Sequence, residues 1–195
     1  MNDKLLANTR YYFAQTVFNS NCHYKAYYRL QKKKNCVSIF IKIIAAATLL
    51  VLILQIIGLE LQCQNLLSIL SFVGLLITGT SLTFQMFSKD DFIREMFYHR
   101  TYAEKYKSLR DEYMCLIEEI MSNALSEDNL RNKKNMLQTR YSAIGETAPT
   151  TTYEDYQQAQ IGLGLAGSTK EEFTWSDEEI DKFLPKQLRI NNVQV

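Results

Sequence analysis

The sequence predicts an all-α membrane protein, built as a two-helix transmembrane hairpin with cytosolic helices on its N- and C-terminal sides. Two apolar runs, residues 37–57 and 66–87, are each long enough as a helix to cross a hydrocarbon core of roughly 30 Å. Between Lys42 and Lys89, a stretch that contains most of both runs, the chain carries one formal charge, Glu60. These two observations favour a membrane location over a soluble fold.

Basic residues flank the two apolar runs on the same side. Three precede the first run and three follow the second: Lys32, Lys33, Lys34, Lys89, Arg94 and Arg100. Because the connection at 58–65 contains no lysine or arginine, the positive-inside rule places both termini in the cytoplasm. The predicted division is a cytosolic N-terminal segment (1–36), the hairpin (37–87) and a cytosolic C-terminal region with a flexible tail (88–195).

The N-terminal segment is predicted to form an amphipathic helix. Phe13, Val17, Tyr24 and Tyr28 fall on one stripe at helical spacing, and neither proline nor glycine interrupts them. The segment carries seven basic residues against one acidic residue. Its positive charge suits anionic lipid headgroups, the acidic C-terminal region or an anionic ligand, and we favour the headgroups.

Arg10, Lys25 and Arg29 of this segment are the candidates for binding an anionic ligand. They are interleaved with tyrosines, a pattern that can hold single-stranded nucleic acid through phosphate contacts and base stacking. The alternative is that the tyrosines pack against the helix that follows the second run. We favour this alternative because aromatic residues on a helical stripe usually serve packing.

The C-terminal region begins with a predicted long helix over 88–124. Tyrosines and aliphatic residues form a seam with alternating spacings of four and three: Tyr102, Tyr106, Leu109, Tyr113, Leu116 and Ile120. Such a seam has to be buried against the N-terminal segment, the next helix or the same seam of another copy.

Shorter helices follow this long helix. Ser126 is the expected N-cap of a helix that runs from 127 to about 144 and ends at Gly145. A loop around Pro149 then leads to a short helix over 153–160. A capping-box pattern at Ser176 and Glu179 predicts a last short helix, which stops before Pro185.

Gly162, Gly164 and Gly167 match G-x-G-x-x-G, the loop of dinucleotide-binding folds. That function requires a strand before the loop and a helix and second strand after it. A polar, glutamine-rich stretch precedes these glycines and few residues follow them. We therefore interpret the stretch as a flexible loop.

Neither an enzyme nor a metal site is predicted. The four cysteines and two histidines show no zinc-binding spacing, and the sequence has no nucleophile-elbow or phosphate-loop motif. We expect no cofactor, no metal and no catalytic residue.

A stripe of small and polar residues runs along the second apolar run. Its polar members and two leucines near the same face are the predicted pore-lining residues: Ser71, Leu75, Thr78, Ser81, Leu82 and Gln85. The stripe either lets helices pack closely and hydrogen-bond, or faces a water-filled pore in which the leucines form a hydrophobic constriction. Two helices cannot enclose a pore, so the second interpretation requires a homo-oligomer.

Several short patterns flank the predicted hairpin. Before it stand Thr9-Arg10 and Tyr27-Tyr28-Arg29. After it stand Ala103-Glu104-Lys105-Tyr106, Ser108-Leu109-Arg110, Ala148-Pro149, Asp155-Tyr156, Leu184-Pro185 and Leu188-Arg189. With these patterns and the tight membrane hairpin, the chain resembles the SLATT family, small two-helix membrane effectors of bacterial anti-phage and conflict systems.

The resemblance implies a membrane-disrupting or channel-forming effector, paired with a nucleotide-polymerising or reverse-transcribing partner. On this basis we predict an oligomeric channel that depolarises or permeabilises the bacterial inner membrane in anti-phage defence. Its expected signal is a cytosolic nucleotide or single-stranded oligonucleotide made by a partner polymerase. The alternative is a non-conducting membrane anchor or scaffold for a cytosolic partner.

Overall fold

Every element in the described part of the chain is helical. The computed structural model describes residues 3–60, 64–88, 90–165 and 175–190, and of residues 60, 85–88 and 90 only the backbone. The helices are α1 (Asp3–Glu60), α2 (Gln64–Ser88), α3 (Asp90–Met121), α4 (Glu127–Thr147), α5 (Tyr153–Gly162) and α6 (Asp177–Asp181), followed by a 3₁₀ turn at Lys186–Leu188. The all-α prediction is confirmed for these residues.

The chain divides into two compact units. The first, called here the helical bundle, comprises Met1–Tyr28 and Phe97–Val195. The second, called the apolar helix pair, is Arg29–Met96. The predicted N-terminal segment and the first apolar run form one continuous helix of 58 residues, α1, because no helix-breaking residue separates them.

The apolar helix pair has the exposure expected of membrane-spanning helices. Helices α1 and α2 are both long and apolar enough to cross a membrane, and 6% of the apolar window of α1 and none of that of α2 is buried. The core helix of a soluble protein would be mostly buried. Exposed apolar surface of this extent instead requires lipid or other protein around it.

Within the apolar helix pair, α1 and α2 pack in antiparallel register. A Cβ atom built on Gly74 would lie 3.3 Å from Val51 Cγ1, and one built on Gly58 would lie 3.4 Å from Leu67 Cδ2. Residues later in α1 therefore contact residues earlier in α2, as antiparallel packing requires. Small residues permit this close approach of the two backbones.

In the helical bundle, the N-terminal part of α1 is buried on several sides. Phe13 and Val17 pack against α3, while Phe18 and Cys22 belong to a second cluster with Ala159 of α5. The structure therefore differs from the predicted single apolar stripe, because more than one element covers the helix.

The tyrosine-rich seam of α3 is buried, as predicted. Tyr113, Leu109 and Ile120 are each at most 1% exposed. The seam packs within the chain, since Tyr12 of α1 stacks on Tyr113 with ring centres 6.0 Å apart and Tyr141 of α4 meets Tyr12 edge-on at 5.4 Å. Of the three predicted partners, the N-terminal segment and the next helix are the ones observed.

Helix α4 ends later than predicted. Gly145 lies inside the helix, which continues to Thr147, so the predicted end at Gly145 is wrong. The helix stops where Ala148, with ψ of 139°, precedes Pro149, because proline disfavours a helical conformation at the residue before it. A Cβ atom on Gly145 would lie 3.6 Å from the Tyr106 hydroxyl, so the glycine sits where α3 comes close.

The glycine-rich stretch is not a dinucleotide loop in the part that the structure describes. Gly162 is the last residue of α5, so a helix and not a strand precedes the glycines. Gly164 adopts a φ of 65°, which glycine accepts without strain, and Gly167 lies outside the described residues. The predicted helix over 153–160 is present and extends to Gly162.

The last described segment, residues 175–190, is called here the C-terminal strap. Its capping box is confirmed, because Glu179 N donates to Ser176 Oγ and Ser176 N donates to the Glu179 carboxylate. Ile180 and Leu184 are 3% and 2% exposed and belong to the same core as the α1 and α3 side chains. The strap is thus fastened to the bundle by apolar packing.

Candidate functional site

A groove between α1 and α2 contains most of the predicted pore-lining residues. Its volume is about 520 Å³. The lining residues are Ser71, Gly74, Leu75, Thr78, Gly79 and Leu82 of α2 and Thr48, Val51, Leu52 and Gln55 of α1. Both helices therefore contribute polar groups to one cleft between two largely apolar helical segments.

Four of the six predicted pore-lining residues meet in this groove. Ser71, Leu75, Thr78 and Leu82 line it, whereas Ser81 is half-buried and is not among its lining residues. The side chain of Gln85 lies outside what the structure describes. That any of them lines a pore stays a prediction.

Thr48 and Gln55 of α1 are the residues that sequence reasoning missed. Gln55 Nε2 donates to Ser71 Oγ at 3.3 Å, so one polar contact joins the two helices. The signal was present in the sequence, because two polar residues seven apart in an apolar run share a helical face.

The threonine hydroxyls of the apolar helix pair bond to their own helix. Thr78 Oγ1 donates to Gly74 O at 2.7 Å and Thr80 Oγ1 donates to Leu76 O at 2.7 Å. Thr48 makes the same contact with Ile44 O at 2.9 Å. Since these donors need neither water nor a neighbouring helix, hydroxyls alone do not decide between a packing stripe and a pore lining.

Arg10, the first predicted ligand-binding residue, is fully buried and is paired within the chain. Its Nη2 donates to Asp181 Oδ1 at 2.8 Å and to Asp177 Oδ1 at 3.1 Å, and its Nη1 donates to Leu188 O at 3.4 Å. Of the three partners considered for the basic segment, the acidic C-terminal region is the one that Arg10 contacts. An external anion would have to displace the C-terminal strap to reach this guanidinium.

Lys25 is half-buried in the helical bundle. Its Nζ lies 3.2 Å from where a Cβ of Gly162 would stand, at the C-terminal end of α5. A cation there complements the negative end of the helix dipole, and α5 has no basic residue in its own last turn. Arg10 and Lys25 thus contact different parts of the bundle. Arg29, also half-buried, belongs to the apolar helix pair, and a ligand site formed by the three residues stays a prediction.

A buried histidine pair was not predicted. His23 of α1 and His99 of α3 are 5% and 4% exposed, and their Nδ1 atoms are 3.0 Å apart, so one ring donates to the other. Tyr106 stacks on His23 with ring centres 5.7 Å apart. The pKa of His23 is lowered to about 4, first by burial and then by the neighbouring His99, while Asp155 opposes both effects. The described residues contain no group of three or more His, Cys, Asp or Glu side chains that could hold a metal ion.

No curated protein and no solved structure matches the chain. A family model does match, over residues 5–179 and hence over most of the sequence: the SMODS and SLOG-associating 2TM effector domain family 4. The match spans both units, and its two transmembrane helices correspond to the two apolar helices found here. The chain therefore belongs to this family of two-transmembrane effector domains, and the predicted SLATT membership is confirmed.

Proposed function

We propose that the chain is the subunit of an oligomeric channel that depolarises or permeabilises the bacterial inner membrane in anti-phage defence. The groove carries the proposal. Thr48, Gln55, Ser71 and Thr78 place amide and hydroxyl groups in a cleft between two helices whose apolar windows are almost entirely exposed. Lipid chains offer such groups no hydrogen bonds, so helices of other copies or water suit the cleft better than lipid does.

Leu75 and Leu82 supply the gate in this proposal. They are 71% and 58% exposed in the single chain and lie at the groove together with Thr78. In a ring of copies with α2 facing the axis, such leucines form hydrophobic constrictions that close by dewetting. The hydroxyl of Thr78 would contact water when the path is open.

The gating signal in the proposal is a cytosolic nucleotide or oligonucleotide made by a partner polymerase. The family's association with SMODS and SLOG proteins supports a partner of this kind. Lys25 and Arg29 are the predicted ligand-binding residues that would meet it without displacement of the C-terminal strap. Binding through such cations weakens steeply as salt is raised.

The alternative is a non-conducting membrane anchor for a cytosolic partner. One observation favours it: Ser71 bonds to Gln55 inside the helix pair, and Thr78 bonds to its own helix, so neither requires water. The anchor and the channel both predict helix association, but only the channel predicts current.

The deciding experiment is a conductance measurement on the purified chain. The protein is reconstituted in a planar bilayer, and current is recorded with and without soluble extract from phage-infected cells. Stepwise current supports the channel. A protein that inserts but carries no current under either condition contradicts it and leaves the anchor.

Matched variants of α2 then test the groove. Thr78→Leu should reduce current without lowering membrane abundance, whereas Thr80→Leu should not, because Thr80 has the same hydroxyl contact but lies outside the groove. Leu82→Ser should hydrate the path and raise basal current. The control Leu76→Ser changes a leucine that is 54% exposed and lies outside the lining. Equal effects of each variant and its control would contradict a pore at this groove.

The cytoplasmic position of both termini is part of the proposal and can be tested with the natural cysteines. A membrane-impermeant maleimide added to spheroplasts should label Cys63, in the predicted outer connection, and should leave Cys115 unlabelled until the membrane is opened. Cys115 is exposed in the bundle and is therefore a sound reporter. Its labelling in intact spheroplasts would reverse the orientation.

A further inference from the structure

The helical bundle contains several cavities among its described residues, and one of them is lined by the C-terminal strap. This cavity has a volume of about 500 Å³ and lies between α1, α3 and the C-terminal strap. Most of its wall is apolar, with Phe13, Met114, Leu163 and Phe183 among the lining residues. Cavities of roughly 300–1,000 Å³ with apolar walls and a few polar groups are typical of small-molecule sites.

Two of the described lining residues are polar, and one of them is a cation. Arg110 of α3 is 35% exposed, and its Nε and Nη2 donate to Asp111 Oδ1 at 2.9 and 2.6 Å. Asn21 of α1 adds a carboxamide, whose Nδ2 donates to Val17 O at 3.3 Å. A guanidinium at the edge of an apolar cavity suits an anionic group attached to an apolar or planar body.

We propose that this cavity binds a small amphipathic anion, with its anionic group on Arg110 and its apolar body against Phe13, Met114 and Phe183. The same chemistry belongs to a nucleotide, with its base and phosphate, and to a fatty acid, with its chain and carboxylate. Asp111 competes with the ligand for the guanidinium, because an anion has to bind Arg110 beside this carboxylate or in its place. This ligand site is a proposal separate from channel activity, because it lies in the helical bundle and ligand binding there can be measured without recording current.

Ligand binding in the cavity is expected to affect the C-terminal strap, because the strap forms part of the cavity wall. Phe183, Leu184 and Pro185 of the strap form part of the wall, and the strap is also held by the contact of Asp181 with Arg10. A ligand in the cavity touches both the strap and the bundle beneath it. Occupancy therefore stabilises the attached strap and raises the unfolding temperature of the bundle.

The test is a calorimetric titration of the full-length protein in phosphatidylcholine nanodiscs, with empty nanodiscs as baseline. The probes are two matched pairs, AMP with adenosine and octanoate with octanol, so that each anion is compared with its neutral analogue. One anion should bind saturably and about tenfold more tightly than its neutral analogue, as expected for a charge-assisted contact. Binding of AMP would identify the ligand class as a nucleotide, and binding of octanoate would identify it as a lipid-derived acid.

Variants separate recognition by Arg110 from general effects on the fold. Arg110→Gln should weaken binding of the preferred anion about tenfold, and Asp111→Asn should strengthen it by removing the competing carboxylate. Arg131→Gln is the matched control, because Arg131 contacts Glu127 through the same two nitrogens at 2.9 and 2.6 Å but lies outside this cavity. Met114→Trp should fill the cavity and abolish binding while the protein still unfolds cooperatively.

Three results would overturn the proposal. The first is that neither anion binds to the wild-type protein. The second is equal affinity for an anion and its neutral analogue, which would remove Arg110 from recognition. The third is an affinity in the Asp111→Asn variant that is no higher than in the wild type, because this variant keeps the guanidinium and relieves its competition.

Discussion

The buried histidine pair makes the helical bundle sensitive to acid. His23 of α1 and His99 of α3 share one hydrogen bond, and the ring of Tyr106 stacks on that of His23. The ring centre of Tyr102 also lies 6.0 Å from that of His23. Asp155 of α5 is the carboxylate whose charge raises the pKa of His23 and so opposes the effect of burial. Protonation of His23 places a cation in a nearly water-free site, and protonation of both rings would bring two cations into contact.

The sign and size of the effect follow from the pKa of His23. In the folded bundle this pKa is lowered to about 4 from the ordinary value of 6.5, so between these pH values the unfolded chain takes up a proton that the folded chain refuses. Stability is complete above pH 6.5 and declines as the pH falls toward 4. A pKa lowered to this extent corresponds to about 3 kcal/mol of unfolding free energy.

The measurement is chemical unfolding of the detergent-solubilised protein at a series of pH values, followed by the fluorescence of Trp175. This residue is the only tryptophan of the chain, and its ring lies 6.0 Å from that of Phe18 in the bundle. The reference is the variant His23→Phe/His99→Phe, which keeps two aromatic rings but has no imidazole that can titrate. Carboxylates that do not act on His23 titrate alike in both proteins and cancel, so the difference reports the histidine pair together with its interaction with Asp155. Equal loss of stability in the two proteins between pH 6.5 and pH 4 would refute the reasoning.

Three further predictions concern the bundle. Leu109→Ala removes a side chain with no exposed surface and should lower the unfolding free energy by about 2–5 kcal/mol in a denaturant titration; a change near zero would deny that this side chain lies in the core. Arg10→Met should cost about 3–5 kcal/mol because it leaves Asp181 buried without its cation, and Arg10→Met/Asp181→Leu should recover much of the loss. An equally unstable double variant would contradict the pairing. Burial raises the pKa of the Cys22 thiol to about 12, so a maleimide should modify Cys115 in the folded protein and Cys22 only after unfolding, as read by mass spectrometry.

The parts of the fold that the sequence predicts are those set by local patterns. The apolar runs predict α1 and α2 because length and charge depletion are properties of one segment at a time. The seam from Tyr102 to Ile120 follows from its spacing, and the capping box at Ser176 follows from two residues three apart. In each case the physical cause acts within a few turns of helix.

The parts that the sequence does not predict depend on contacts between distant segments. Arg10 and Asp181 are 171 residues apart, and nothing near Arg10 in the sequence distinguishes a buried guanidinium from a solvent-exposed one. His23 and His99 are 76 residues apart and read as isolated histidines. The predicted end of α4 at Gly145 is wrong because the helix continues through this glycine to Thr147 and ends where Ala148 precedes Pro149.

The candidate pore site was predicted in part, because one of its walls follows a local pattern and the other depends on contacts between two helices. The polar stripe of α2 is visible in the sequence, and Ser71 and Thr78 do meet at one groove. The contribution of α1 through Thr48 and Gln55 depends on the register of two antiparallel helices, which only their packing fixes. A stripe on a single helix is therefore sufficient to select residues for mutation but not to identify the opposite wall.

The buried arginine also constrains how an anionic signal could act on the bundle. Arg10 already contacts two carboxylates and a backbone carbonyl, so an external anion gains little there unless it first releases the strap, whose Ile180 and Leu184 are buried. Burial of two such aliphatic side chains contributes about 3–6 kcal/mol, which a ligand would have to offset before binding. Arg110 imposes no such cost, because its guanidinium is partly exposed and pairs with a half-exposed carboxylate. A small anionic ligand from solution is therefore expected to bind at Arg110 more readily than at Arg10, and to act on the strap from the cavity side.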